Sequence, residues 1–597
     1  MIDWVPPGVI LIAGAFLIPF LRGRAKQIYL LLLPIIAFID LLYMAEGTGW
    51  AVPFLEYNLI FGQVDRLSMI FGYVFVIMAF IGMLYALHVK EDGQHFAAFL
   101  YAGSALGVVF AGDFLSLFIF WEIMAFSSVF LIWYSRDKAS RDAGLRYLLV
   151  HVFGGLSLLA GIVIRLVNTG SIEFGSIAYG GLDSYLILFG FMVNAAVPPL
   201  HAWLSDAYPE ATVTGAVFLS AFTTKTAIYV LLRAFSGVDI LIWFGAVMAV
   251  FGVIYALLQN DIRRLLAYEI ISQVGYMVAG IGIGTTLSLN GSAAHAFTHI
   301  LYKGLLFMGA GAVIYAAGKR KFTELGGLYR AMPLTLGLYM VGALSISAFP
   351  LFSGFVSKSM VVSAASHEHL AVVWLLLNLA SAGTFLLVAL KLPYFVFFAK
   401  DAGIKAKEPP ANMLLAMGFA AFLNILIGIY PGILYDILPY PVDYVPYTGE
   451  HIVWTLQILL FTALGFFLLL NKLSIQPAIY LDTDWFYRKG SKVFMWFIEK
   501  PLSAAAQLPV NISLHITDYL IWLGKNPVRA ISLYASTVVF KLFGRFPGMP
   551  PHASEKLLEE GWKNYPGEPV RKSPVGDSVI LVLIFIAAYA LYYYLVA

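Results

Sequence analysis

The sequence predicts an all-α polytopic membrane protein. Three observations carry that prediction. Apolar stretches of about 18 residues or more recur along the chain. Charged residues make up 12% of it against 61% hydrophobic. Basic residues gather in every second loop. A soluble chain of this size carries about 25% charged residues. A transmembrane barrel would show strands of about ten residues with alternating polarity, and none is seen.

In chain order, about 16 spans are expected, at 6–21, 28–45, 65–88, 96–111, 114–134, 145–168, 183–201, 210–233, 239–259, 266–285, 292–316, 333–360, 370–399, 411–430, 451–471 and 577–596. Met1–Phe20 lacks the basic start of a signal peptide and reads as a first helix. The 333–360 stretch is long and interrupted, so it reads as one broken helix or two short ones. Arg22, Arg24 and Lys26 follow the first span, Lys90 the third, and Arg136, Lys138 and Arg141 the fifth. Arg263 and Arg264 follow the ninth, Lys319, Arg320 and Lys321 the eleventh, and Lys400, Lys405 and Lys407 the thirteenth. The alternate loops 46–64, 169–182, 284–291 and 431–450 carry acids or no charge, apart from Arg66 at the end of the first. This register places the chain in the cell membrane with basic loops cytoplasmic and both termini outside.

The segment 472–576 breaks the rhythm. Phe494–Phe546 mixes apolar residues with Lys500, Lys525, Arg529, Lys541 and Arg545, interrupted by Pro501, Pro509 and Pro527. It is too polar to span and long enough to lie along a membrane face as a cytoplasmic lateral amphipathic helix, against lipid and neighbouring subunits. The Pro-, Glu- and Lys-rich 547–575 reads as a solvated linker.

Ionisable groups inside apolar helices cost at least about 2.5–3.5 kcal/mol each on insertion scales, so each needs a reason. Glu122 lies about two turns into its span and Lys225 in mid-span. His295, His299 and Lys303 follow one another at i, i+4 and i+8, making a single polar stripe about 80° wide on an apolar helix. Lys358 follows Pro350 and Gly354, which should break their helix. Lys391 lies beside Pro393 and, taken alone, reads equally as a snorkelling or structurally paired lysine. As a set, Glu, Lys and His on several helices form a path that hands protons or small cations along. Pro198, Pro199 and Pro350 each remove a backbone donor within an apolar span. Broken helices at membrane depth line cavities or are buried in protein. The shared Pro-Leu of 199–200 and 350–351 suggests paired repeats of the inverted kind found in transporters.

These motifs resemble the antiporter-like subunits shared by respiratory complex I, the Mrp cation/proton antiporters and archaeal membrane-bound hydrogenase and sulfur-reductase complexes. Phe120-Trp-Glu-Ile-Met-Ala-Phe is similar to the family's buried-glutamate motif. Pro199-Leu-His-Ala-Trp-Leu-Ser-Asp-Ala-Tyr-Pro-Glu-Ala resembles its PLHxWLPDAxPEAP signature. Gln259-Asn-Asp-Ile-Arg-Arg-Leu-Leu-Ala-Tyr-Glu-Ile-Ile-Ser-Gln-Val-Gly resembles QxDIKRxLAYSTISQxG, and His295-Ala-Phe-Thr-His-Ile-Leu-Tyr-Lys the HxxxHAxxK helix. The resemblance implies that Glu122 is the acid of a first half-channel and Lys225 the central bridge. It makes His295, His299 and Lys303 a second-half relay with Lys358 as its exit. It also implies that 472–576 is the lateral helix of a distal subunit, with Leu481-Asp-Thr-Asp-Trp-Phe-Tyr-Arg similar to archaeal members. The chain departs from the family in three places. Asn194 stands where a lysine partner of Glu122 is expected, prolines are replaced around Ser205, Thr212 and Thr214, and Glu269 replaces a serine. The first half is therefore inactive or rebuilt around another cation, with Asn194 beside Glu122 as a weak oxygen-lined sodium site.

The division expected is 1–95 for N-terminal helices, 96–234 and 235–400 for two antiporter-like halves, 401–471 for C-terminal helices, 472–576 for the lateral segment, and 577–597 for the last span. The implied function is translocation of H+ or Na+ within a multi-subunit respiratory complex. The rivals are a structural brace with a degenerate channel and a stand-alone cation/proton antiporter. Partners are other membrane subunits, with redox subunits bound indirectly and no nucleic acid. The absence of cysteine excludes thiolate clusters from this chain, and no cofactor, metal, redox or hydrolytic site is expected. His367 and His369, flanking Glu368, read as solvated.

Overall fold

In the computed structural model, residues 4–470, 472, 482–568 and 575–596 are described. The chain divides into two units, Met1–Trp485 and Phe486–Ala597.

The first unit is a helical bundle around a continuous apolar core. Among the described residues of the chain, twelve helices are long and apolar enough to cross a membrane, with shorter apolar helices at Pro7–Phe20, Leu182–Asn194, Pro333–Ile346 and Val579–Tyr593. The 333–360 stretch is two helices, Pro333–Ile346 and Ser353–His367. The 183–201 stretch stops being helical at Asn194, and 210–233 is split at Phe222 into Val213–Ala221 and Thr223–Ala234.

The protein is not purely helical. Residues expected as a loop form an antiparallel hairpin, Gly47–Phe54 with Tyr57–Val64. Trp4 explains it. Its ring lies so close to Gly49 and Gly62 that a Cβ on either would meet it at 2.7 or 2.4 Å, and its carbonyl accepts from Trp50 Nε1 at 2.8 Å. Two small residues facing one indole seat the hairpin on the bundle.

An internal repeat organises the bundle, with a constant spacing of 148 residues. Asp92–Phe110 corresponds to Ile240–Leu258, and Lys138–Thr169 to Thr286–Ala317, each pair equal in length. Asp113 and Asp261 both cap the helix that follows, accepting from backbone N–H groups two and three residues on. Each also bridges to the strand-like residue after the long helix, Asp113 with Glu173 and Asp261 with Lys321. The flanking bonds repeat as well: Phe114 N to Ile172 O at 2.8 Å, and Ile262 N to Arg320 O at 3.0 Å. Left-handed Gly170 and Gly318 end the two long helices, a position where glycine avoids the Cβ clash.

The two helix breaks belong to the same repeat, with a slightly longer spacing. After Asn194, Ala196 N bonds to Val193 O and Val197 N to Met192 O; after Ile346, Ala348 N bonds to Ser345 O and Phe349 N to Leu344 O. Ala196 and Ala348 both take left-handed φ, 56° and 55°. This pairs Pro198 with Pro350, one residue away from the Pro-Leu match read in the sequence. Both helices end before their prolines, which prevent resumption of the helix. Gly354 is not itself a breaker. It lies in the first turn of Ser353–His367, where a Cβ would sit 1.8 Å from the Ser345 carbonyl oxygen.

The second unit is helical over most of its described length. Pro501 does not interrupt it, because a π-helical turn at Ile498–Leu502 absorbs the missing donor. Pro509 lies inside Ser503–Gly524, and Pro527 starts Pro527–Phe543, where no N–H is needed. Pro551–Lys563 is a helix where a linker was expected. Its Trp562 stacks on Trp522, and Trp562 Nε1 donates to Thr537 at 3.1 Å. Contact among aromatic residues spread along the sequence outweighs the local Pro and Glu content.

Candidate functional site

The long Thr286–Ala317 helix carries His295, His299 and Lys303 on one stripe, all fully buried. His295 is held at both ring nitrogens, by Ser357 Oγ at 3.2 Å and by Gln273 Oε1 at 3.2 Å. His299 has no partner at either nitrogen, and Lys303 Nζ has none. The His295 and His299 ring centroids lie 6.1 Å apart, with the Tyr302 ring 5.2 Å from His299.

Lys225 is fully buried beside the Phe222 break, and its Nζ donates to the Ser220 carbonyl at 2.6 Å. Lys303, His299 and His295 are among its charged or titratable neighbours. Lys358 Nζ donates to the Ile346 carbonyl at 2.9 Å, one of the acceptors freed where the Pro333–Ile346 helix stops. The same ammonium lies 4.9 Å from the centre of the Tyr276 ring. Lys358 also lines a cavity of about 540 Å³ with Ser347, Ser381, Glu450 and His451. The structure thus buries Lys225, His295, His299, Lys303 and Lys358 within the bundle, with a cavity beside Lys358.

Lys391 stands apart. It ends a π-helical turn, Phe385–Lys391, and donates to the carbonyls of Leu257 at 2.6 Å and Gln259 at 3.2 Å. It therefore caps the C-terminus of Ile240–Leu258, where a cation also meets the helix dipole.

In the first half, Glu122 is half-buried and its Oε1 has no partner. That oxygen occupies the space over Gly155: a Cβ there would meet it at 1.9 Å. Asn194 does not turn to Glu122. Its Oδ1 bonds to His151 Nδ1 at 2.8 Å, and both side chains are buried. His151 packs against Tyr147 at 4.2 Å and Trp203 at 4.5 Å between ring centroids. Sequence reasoning missed His151 and Gly155. A signal for both existed: Tyr147, His151 and Gly155 precede His295, His299 and Lys303 by the same 148 residues that separate the capping aspartates. A Tyr101 hydroxyl bonded to Thr223 Oγ1 at 2.6 Å extends this half toward Lys225.

Around the breaks, ion pairs fix the ends of the helices. Arg320 bonds Glu210 at 2.8 Å and Asp261 at 2.9 Å, and Arg146 bonds Asp206 at 2.7 Å. His201, one turn past the first break, bonds Asp482 at 3.0 Å, and Tyr268 donates to the same carboxylate.

The family described as NADH:quinone oxidoreductase/Mrp antiporter, transmembrane, matches residues 111–385. An uncharacterized protein of Methanocaldococcus jannaschii is 31% identical over 361 residues, covering 56% of this chain and 74% of that one. A Na(+)/H(+) antiporter component of Alkalihalophilus pseudofirmus is 29% identical over 486 residues, 70% of this chain and 60% of that one. A chain of the membrane-bound sulfane sulfur reductase, an archaeal respiratory membrane complex, superposes with a TM-score of 0.68 at 23% identity, covering 90% of this chain and 99% of that one. That likeness shows a shared fold. On the matched region and these relatives, the chain belongs to the NADH:quinone oxidoreductase/Mrp antiporter family of transmembrane subunits.

Proposed function

We propose that the chain moves protons, alone or in exchange for sodium, across the cell membrane as an antiporter-like subunit of a larger membrane complex. The observation that carries this reading is the set of buried titratable atoms without partners: both ring nitrogens of His299 and the Nζ of Lys303. Buried polar groups nearly always find partners, and a structural ion pair would have satisfied these. Groups left unpaired at membrane depth can gain and lose protons without dismantling a hydrogen-bond network. The path runs from Lys225 through His299 and Lys303 to Lys358 and its cavity, with His295 held alongside by Gln273 and Ser357. The first half is rebuilt on Glu122, His151 and Asn194.

Charge register supports cytoplasmic basic loops with both termini outside. It puts the Lys358 cavity, lined by Glu450 and His451, on the outer side. Five spans in each repeat unit make the second copy inverted relative to the first. The exposed Val493, Phe494, Trp496, Ile531 and Leu542 of the second unit favour its use as a lateral arm against neighbouring membrane subunits, since large apolar side chains left bare call for a covering partner.

The test uses inside-out vesicles containing the assembled complex. Lys225→Ala and Lys303→Ala are each expected to abolish proton flux, read with a pH-sensitive dye after an imposed sodium gradient or membrane potential. Normal flux in both variants, at wild-type amounts of complex, would refute the reading.

A further inference from the structure

One buried ionisable group is not used by the path above. Glu269 is fully buried in Ile262–Ile283, and neither carboxylate oxygen has a hydrogen-bond partner. Its position follows from helix geometry. Glu269, Gln273 and Tyr276 are spaced i, i+4 and i+7, so they lie on one face. Gln273 bonds His295 at 3.2 Å, and the Tyr276 ring faces the Lys358 ammonium, so this face looks into the relay. The Ile262–Ile283 and Thr286–Ala317 helices are joined by a short turn and packed against each other, hence antiparallel. One turn along each from the Gln273–His295 contact, about 6 Å, brings Glu269 level with His299. The next turn on the longer helix is Lys303. Lys303 and Lys358 are the charged neighbours of Glu269, with Thr384, Tyr276, Tyr302 and Tyr339 also close to it.

The repeat adds an independent argument. Glu122 in Trp121-Glu122-Ile123 lies nine residues after its capping Asp113, and Glu269 in Tyr268-Glu269-Ile270 lies eight after Asp261. In the first copy Glu122 reaches the space over Gly155. In the second copy the residue equivalent to Gly155 is Lys303, and Glu269 is its neighbour. By the 148-residue register Glu122 corresponds to Ile270, so Glu269 stands one residue earlier, about 100° around its helix; both acids nevertheless lie beside the same position of the long helix, one against Gly155 and the other against Lys303.

We propose that Glu269 is a proton-carrying acid of the second half, shuttling between Lys303 and Lys358. This rests on the translocation reading above. The Lys303 ammonium gives its proton to the Glu269 carboxylate, leaving a neutral amine and a neutral carboxylic acid. The acid then gives that proton to a neutral Lys358 amine, restoring the carboxylate and forming an ammonium next to the outer cavity.

The test compares Glu269→Gln, Glu269→Asp and Lys303→Ala in inside-out vesicles containing the whole complex, with assembly checked on native gels. Glu269→Gln keeps the size of the side chain but cannot accept a proton. It is expected to lower proton flux by about 100-fold, and Glu269→Asp to recover a substantial part of it. Glu269→Gln at wild-type flux, in a preparation where Lys303→Ala abolishes flux, overturns the proposal while leaving the translocation reading intact. Normal flux in Lys303→Ala overturns that reading instead. If Glu269→Gln fails to assemble, Glu269→Ser decides: wild-type assembly with flux lowered far below that of Glu269→Asp supports shuttling, and wild-type assembly with unchanged flux refutes it.

Discussion

Gly155→Ala should disable Glu122 while leaving the fold intact. The added methyl would begin 1.9 Å from Glu122 Oε1. Ordinary contact needs about 3.5 Å, so the carboxylate has to withdraw by roughly 1.6 Å. It is the far end of a flexible side chain on a half-buried residue, so the retreat is cheap. Replacing glycine by alanine inside a helix also gains about 1 kcal/mol of propensity. Thermal stability in detergent should therefore change by less than about 1 kcal/mol in either direction. Function should respond differently, because a displacement of about 1 Å at a reacting group can cost about 100-fold. Proton flux in vesicles is the assay, with Glu122→Gln as the reference. The expected result is that both variants fall together. Wild-type flux in Gly155→Ala, with flux lost in Glu122→Gln, would refute the geometric argument. Wild-type flux in both would show that the first half does not conduct.

Two further predictions concern residues outside the central chain. Lys391→Met should keep near-normal flux but lose about 1–3 kcal/mol of stability, because two carbonyls at the end of Ile240–Leu258 lose their donor; a melting curve measured beside the flux assay separates the two effects. Asp482→Asn should loosen the hold of residues 482–485 on the first break, seen as faster hydrogen exchange in a peptide covering Thr483 to Trp485. For the native residue, burial alone would raise the Asp482 pKa. Hydrogen bonds from His201, Tyr268 and the Thr483 N–H outweigh it and hold the carboxyl below the ordinary carboxylate value. A depressed pKa stabilises the folded form above the unfolded value of about 3.9 and loses that contribution as pH falls through the folded value. The attachment should therefore be insensitive from neutral pH down to about pH 4 and weaken below it.

Much of the site was legible because hydrocarbon makes each charge conspicuous. Lys225, His299 and Lys303 could be picked out without any structure, since nothing but function or a partner justifies them in an apolar run. Lys391 was conspicuous for the same reason, yet its acceptors are carbonyls more than a hundred residues away, which spacing along one helix cannot reveal. Asn194 was noticed as a missing lysine, but its actual partner, His151, lies on another helix. The hairpin was hidden because it depends on a tryptophan at position 4. Pro501 and Pro509 misled because a π-helical turn and an exposed helix tolerate proline where an ideal helix does not. The repeat was suspected from one dipeptide, although caps and glycines at fixed spacing carry it far more firmly than the prolines do.

That constant spacing has a practical consequence. From Asp92 to Phe174, every position has a counterpart 148 residues on, reached without insertion or deletion. A substitution can therefore be made twice in one polypeptide, once in each copy, under the same lipid, the same partners and the same driving force. Each copy becomes an internal control for the other, and moving a side chain between them asks directly which differences let one fold carry two unlike pathways.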